Sequence, residues 1–276
     1  MARSTPSANP LETLHDLTTA LEAAALECLA NPRKGSVHRL RTSTRRIEAQ
    51  LELFSLLPKV PPHSKLRDKA MKLLEKLRSA AGKVRDLDVQ RDLLQSEVAP
   101  KNHPSTAVRD EARKLSRALK QEREEEGDDL LALLKKQRAK LPLVLKNLLD
   151  ALAPAGSLTL TEPKLIALVR DWYSGQCGTT PTAKPPQDLD RLHDIRKKAK
   201  LARYLAESAP GSAARAHRLA EKYEELQQAG GTWHDWLLLA DVAAGELGKS
   251  ANLVDRFKAH ADSALGIYKR KLTHKI

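Results

Sequence analysis

Aromatic side chains make up only 3% of the 276 residues. Proteins that hold single-stranded nucleic acid stack its bases on such rings, so that mode of recognition has little to work with here. Cysteine occurs twice, as Cys28 and Cys177, with no CxxC pair. Two unlinked thiols in a reducing compartment are therefore expected, rather than a disulfide framework. The opening stretch MARSTPSANP has no apolar segment of the secretory kind. No run of about 18 apolar residues occurs anywhere. The expectation is a soluble cytoplasmic protein with no membrane partner. A Walker A loop is also missing, as is any convincing alternation of apolar and polar residues at strand period.

Cationic charge and helical periodicity are what the chain does have. Apolar residues reach 41%, enough for a real core, while Lys and Arg outnumber Asp and Glu 48 to 35 for a net charge of +13. The excess is spread out: residues 1–155 carry 29 basic and 21 acidic side chains, residues 156–276 carry 19 and 14. Such a balance points to a polyanionic partner: nucleic acid, an anionic membrane or a phosphate polymer. Nearly every periodic segment has the three- and four-residue spacing of an amphipathic helix. Breaks rich in Pro, Gly and Ser fall at 31–35, 57–64, around Pro100 and Pro104, at 153–157, 175–187, 209–212 and 247–250. They divide the chain into roughly nine to eleven helices.

The central break suggests an internal repeat. LHDIRKKAKLARYLAE (192–207) aligns under VHRLRTSTRRIEAQLE (37–52), matching His38 with His193, Arg41 with Arg196 and Arg45 with Lys200. AGKVRD (81–86) aligns over GGTWHD (230–235), matching Gly82 with Gly231, Arg85 with His234 and Asp86 with Asp235. We read one domain over 1–276 made of two similar helical halves, 10–155 and 156–272. Each carries a basic histidine helix followed by a Gly-x-x-[Arg/His]-Asp segment.

The basic segments have direction. With His38 at zero and about 100° per residue, Lys34, Arg41 and Arg45 fall within about 60° of it. Leu40, Ile47, Leu51 and Phe54 cluster roughly 130° from that set. One stripe is buried and the other is cationic, with Arg39 and Arg46 at its flanks. His193, Arg196 and Lys200 repeat the pattern, extended by Arg203 with Lys197 beside it. Lys65, Lys69, Lys72 and Lys76 make a second stripe, within about 60° of one another. Lys83 continues that row only if the helix runs straight through Gly82. Arg215, Arg218 and Lys222 form a shorter counterpart. Arginine grips phosphate oxygens bidentately and lysine acts as a mobile point charge. Unrelieved like charges on one helix face weaken it, so such rows suit an anionic ligand, although a solvated face is the commonest fate of a charge run. Asp86 and Asp88 beside Arg85, and Asp235 beside His234, suit a structural role, pairing with or orienting the basic groups.

VHRLRTSTRRIEAQLELF, AGKVRDLDV and LHDIRKKAKLARYLAE, in that order and spacing, resemble the motifs of the CHAD family, the conserved histidine α-helical domain. The resemblance extends from about residue 10 to residue 270. It implies an all-α fold of two antiparallel helical bundles, about four long helices each, related by pseudo-twofold symmetry around a basic central cleft or pore. It implies binding of inorganic polyphosphate, often at intracellular polyphosphate granules, with no catalysis, no cofactor and no metal. By position the implied ligand set is His38, Arg41, Arg45, Arg46, Lys76, Lys83, His193, Arg196, Lys197, Lys200 and Arg203. The second half departs from the pattern at Ala199 and Ala202, and GGTWHD is looser than AGKVRD. Some members carry a triphosphate-tunnel domain with an ExExK strand motif; none occurs here, so a stand-alone chain is expected.

Two other functions compete. Backbone-only contacts could hold DNA or RNA without reading sequence. The dipeptides His15-Asp16, His193-Asp194 and His234-Asp235 evoke helical metal phosphohydrolases. A metal site, however, wants several His and Asp ligands converging with few competing cations, and His193 is followed by Arg196 and Lys200.

Overall fold

A computed structural model describes residues 6–177 and 188–273. The break expected at 175–187 lies outside the described residues from 178 onward. Among the described residues the chain forms nine α-helices. Five precede residue 156: α1 (Pro10–Ala30), α2 (Lys34–Leu56), α3 (Ser64–Glu97), α4 (Thr106–Gln137) and α5 (Lys140–Leu152). Four follow: α6 (Glu162–Cys177), α7 (Leu189–Glu207), α8 (Ala214–Leu247) and α9 (Asn252–Leu272). No described helix is long and apolar enough to cross a membrane.

Local chemistry explains most of the boundaries. Asn9 caps α1 by accepting from the backbone of Leu11 and Glu12, and Pro10 takes the first position, where no N–H is needed. α3 does not stop at Gly82. It runs straight through, 34 residues in all, and Pro100 follows its end. One junction carried no Gly, Pro or Ser signal, the step from α4 to α5 at Arg138–Ala139. Pro142 lies in the first turn of α5, where its missing N–H is tolerated. The helices of the second half also borrow caps from far away. Glu162 accepts from the backbone N–H groups of Arg215 and Ala216 at the start of α8. Glu111 does the same for Asn252 and Leu253 at the start of α9.

Two very short strands, β1 (Ser7–Ala8) and β2 (Leu160–Thr161), pair antiparallel. With Asn9 Nδ2 donating to the Gly156 carbonyl at 2.9 Å, they tie the start of the chain to the entry of α6.

The apolar side chains gather in three clusters. The first joins α1, α2, α3, α5 and the C-terminal end of α4, and holds Leu40, Ile47, Leu51 and Phe54 of α2. The second joins α6, α7, α8 and α9, with Ala49 and Leu53 of α2. Ala199 and Ala202, where the second half departs from the pattern, are fully buried here. The third crosses between the two sets: Leu87 and Leu94 of α3 and Leu115 and Leu119 of α4 meet Leu239 of α8 and Phe257 of α9. α2 and α7 therefore lie side by side between the first two clusters.

Candidate anion-binding site

α2 spends its buried stripe on the first cluster, so its cationic stripe must face elsewhere. It faces α7. Burial lowers Arg196 and Lys200 most, and Arg41 stands close enough to add to the effect on both, while Arg46 reaches Glu207. The two helices therefore run in the same direction, and their basic faces oppose each other. Between them, closed by α3 and α8, lies a cavity of about 630 Å³.

Four helices supply its walls. α2 gives His38, Arg41, Arg45 and Arg46; α3 gives Arg85 and Asp86; α7 gives Arg196, Lys200, Arg203 and Tyr204; α8 gives Glu224, Gln227, Gln228, Thr232 and Asp235. Six arginines and a lysine thus meet three acids. Arg196 and Arg203 stand about 10 Å apart along α7, so the cationic lining is elongated.

Packing fixes the orientation of several of these groups. Arg41 lies across α3 where Gly82 leaves room, and its Nη1 donates to the Arg78 carbonyl at 3.2 Å. A methyl group on Gly82 would run into that guanidinium. In the second half the glycine that makes room is Gly230, one residue before the aligned Gly231. A Cβ there would stand 3.1 Å from Arg196 Cγ and 2.9 Å from the Tyr268 ring. Glu48, only 6% exposed, lies beneath the α2 arginines, 3.6 Å from Arg45 and paired with Arg78. Three guanidinium donors, Arg45 Nε, Arg85 Nη1 and Arg196 Nε, are buried with no acceptor. Each is a desolvated donor whose lost hydration is not repaid within the protein.

Crowding of like charge shows in the acid–base balance. Burial, reinforced by Arg41, Arg45 and Arg196, pulls Lys200 down to about 7 against the opposing pull of Asp235. Burial likewise lowers His38, with Arg85, Lys200, Arg41 and Arg39 adding to the effect. Arg45 and Arg78 are pulled down by burial to about 10, still fully charged at neutral pH. Burial raises Asp86 and Asp235, and the surrounding arginines only partly offset it.

Other expected site residues go elsewhere. His193 packs against His234, with ring centroids 4.6 Å apart and the planes inclined at 55°, and lines no part of the cavity. Burial, then Arg196 and His193, holds His234 down at about 4. Lys34 pairs with Asp92, Arg39 with Glu27, Lys83 with Glu126 and Lys197 with Asp194, all outside the cavity. Lys65, Lys69, Lys72 and Lys76 form an exposed row, as do Arg215, Arg218 and Lys222, and none lines the cavity. The reason is angular. On α3 the cavity side carries Gly82, Arg85, Asp86 and Val89, about 120° round from the lysine row. Asp88 faces neither Arg85 nor the cavity but Arg123 of α4, with Nε donating to Oδ1 at 3.2 Å. Among the described residues no group of three or more His, Cys, Asp or Glu side chains is placed to hold a metal ion.

The repeat did not signal Arg78, Glu48, Glu207, Glu224 or Tyr204. Arg78 was within reach, since it lies one turn before Gly82 on the same face of α3. Glu207 was too, one turn after Arg203.

Comparison with curated proteins gives no match. Among solved structures, the fold is similar to that of PptA from Streptomyces chartreusis, at 15% identity over 98% of this chain and 100% of that one, with a TM-score of 0.68. It is similar also to the CHAD domain from the plant Ricinus communis, at 15% identity over 100% of this chain and 95% of that one, with a TM-score of 0.67. These likenesses concern the fold; the sequence itself supplies the family, for the CHAD domain model matches residues 12–244, and the chain belongs to the CHAD domain family.

Proposed function

We propose that the chain binds inorganic polyphosphate in the cavity between α2, α3, α7 and α8, without catalysis, and that this binding brings it to polyphosphate granules. One observation carries the proposal. Six arginines and a lysine from three helices, α2, α3 and α7, converge on one elongated cavity whose lining has only three carboxylates. A ligand suited to it is slender, has a negative charge on every unit and offers acceptor oxygens all round. A phosphate chain has these properties. A nucleic acid spaces its phosphates by sugars and brings bases that want aromatic surfaces, and among the described residues Tyr204 is the single Phe, Tyr or Trp side chain in the lining.

The test is competition. Labelled long-chain polyphosphate is challenged with duplex DNA and with RNA at matched phosphate concentration and salt. Polyphosphate should resist displacement by either. Equal potency of nucleic acid would replace this function with backbone binding of nucleic acid. Arg41→Ala combined with Arg45→Ala should lower polyphosphate affinity at least about tenfold, the loss of charge-assisted contacts worth about 1.5–3 kcal/mol each. Its helical circular dichroism should be unchanged, because both side chains point away from the apolar stripe. Release of phosphate from polyphosphate with a divalent metal present would overturn the absence of catalysis.

A further inference from the structure

Glu207 ends α7, where a carboxylate opposes the helix dipole. Its position is held from outside. Arg203 Nε donates to Oε1 at 2.6 Å, and Arg46 Nη2 donates to Oε2 at 3.5 Å. One carboxylate therefore joins an arginine of α2 to an arginine of α7, and both arginines line the cationic cavity. Arg203 carries a second acid, Glu224, at 2.8 Å. Arg41, Arg85, Arg196 and Lys200 are different. They line the same cavity, and among the described residues none of them makes an ion pair.

The cavity's cations thus fall into two sets, one open and one already occupied by the protein's own carboxylates. Glu207 also has somewhere to go. It lines a second cavity of about 490 Å³ with Thr13, Ser208 and His217, and Arg46 and Tyr204 form walls of both cavities.

We propose that Glu207 is an internal competitor of the phosphate chain: it occupies Arg46 and Arg203 in the free protein and swings into the second cavity when the chain takes its place. This rests on the polyphosphate reading above. A lone phosphate arriving at Arg46 exchanges one anion for another and gains little. A chain first engages Arg41, Arg85, Arg196 and Lys200. Its next units then meet the occupied arginines as tethered groups at high effective concentration, and they displace the carboxylate. Glu207 thereby sets a minimum chain length and keeps long chains exchangeable.

The decisive variant is Glu207→Gln, isosteric and uncharged. Glu221→Gln is its control, because Glu221 is an exposed acid of α8 that does not line the cavity. Affinity for long-chain polyphosphate is measured across a salt series for the unaltered protein and both variants. We expect Glu207→Gln to tighten binding at least about fivefold beyond the control. The log–log salt slope should steepen by roughly one unit, because in the unaltered protein the displaced carboxylate takes up about one counterion and offsets part of the release from the chain. A residue that merely held Arg203 in place would instead weaken binding on removal. Binding by the unaltered protein, with Glu207→Gln equal to the control or weaker than it, overturns the competitor role alone. Absence of binding by the unaltered protein overturns both this role and the polyphosphate reading.

Discussion

Lys200 shows at the scale of one residue what the cavity costs the free protein. Its folded pKa of about 7 lies far below that of a free lysine. Between pH 7 and the unfolded value the unfolded chain holds a proton that the folded chain does not. This group therefore makes stability rise with pH across that window. A polyanion favours the charged form, so binding above pH 7 takes up a proton. Affinity should be strongest at and below pH 7 and fall as pH rises beyond it, strengthening again in the acid range where His38 gains its proton. Calorimetry in buffers of different ionisation enthalpy would count the protons. Zero uptake at pH 8 would show that Lys200 does not face the ligand. Lys200→Met should raise the melting temperature of the ligand-free protein at pH 7 and weaken polyphosphate binding about tenfold. The residues that face Lys200 are known from all four walls: His38, Arg41 and Arg45 on α2, Asp86 on α3, Arg196 on α7 and Asp235 on α8.

Among the elements, α3 is the instructive case. Its glycine reads as a place where a helix could stop, yet the helix continues and the missing side chain makes room for Arg41. Gly82→Ala should therefore separate fold from function. Alanine is the better helix former by about 1 kcal/mol, and the group in its way is the end of a flexible side chain. The variant should keep or gain thermal stability while losing polyphosphate affinity, and a large loss of stability would mean that Arg41 cannot move aside. α3 also shows how far the sequence could be read. Periodicity found the helix and gave the angles of its faces correctly, as it did for α2. It could not say which face of α3 meets α2, because that depends on the course of the other helices. The lysine row was therefore expected at the site, and Arg78 and the room at Gly82 were not. His193 misled for the same reason. The repeat placed it beside Arg196 in sequence, but its ring turns to His234. The long-range caps from Glu111 and Glu162 join positions more than 50 residues apart, and no local signal could reveal them.

In the molecule as a whole, the cavity draws two walls from the residues before 156 and two from those after, so a ligand chain bound there would hold helices of both. Saturating polyphosphate should raise the stability of the protein as one unit. At a free concentration about a hundred times Kd the gain is about 2.7 kcal/mol, which corresponds to a melting temperature higher by about 5–10 °C. Scanning calorimetry should show one transition that moves as a whole. Two transitions, only one of them moving, would mean that the ligand touches a single set of helices. The third apolar cluster carries the same interdependence into time. Leu87, Leu94, Leu115 and Leu119 are covered by Phe257 and its neighbours, which leave the ribosome about 140–170 residues later. At roughly 5–20 residues per second that interval is on the order of ten to thirty seconds. For that long a nascent chain shows a leucine face that the finished protein never exposes, so the period of greatest exposure to aggregation falls during synthesis and ends only as α9 emerges.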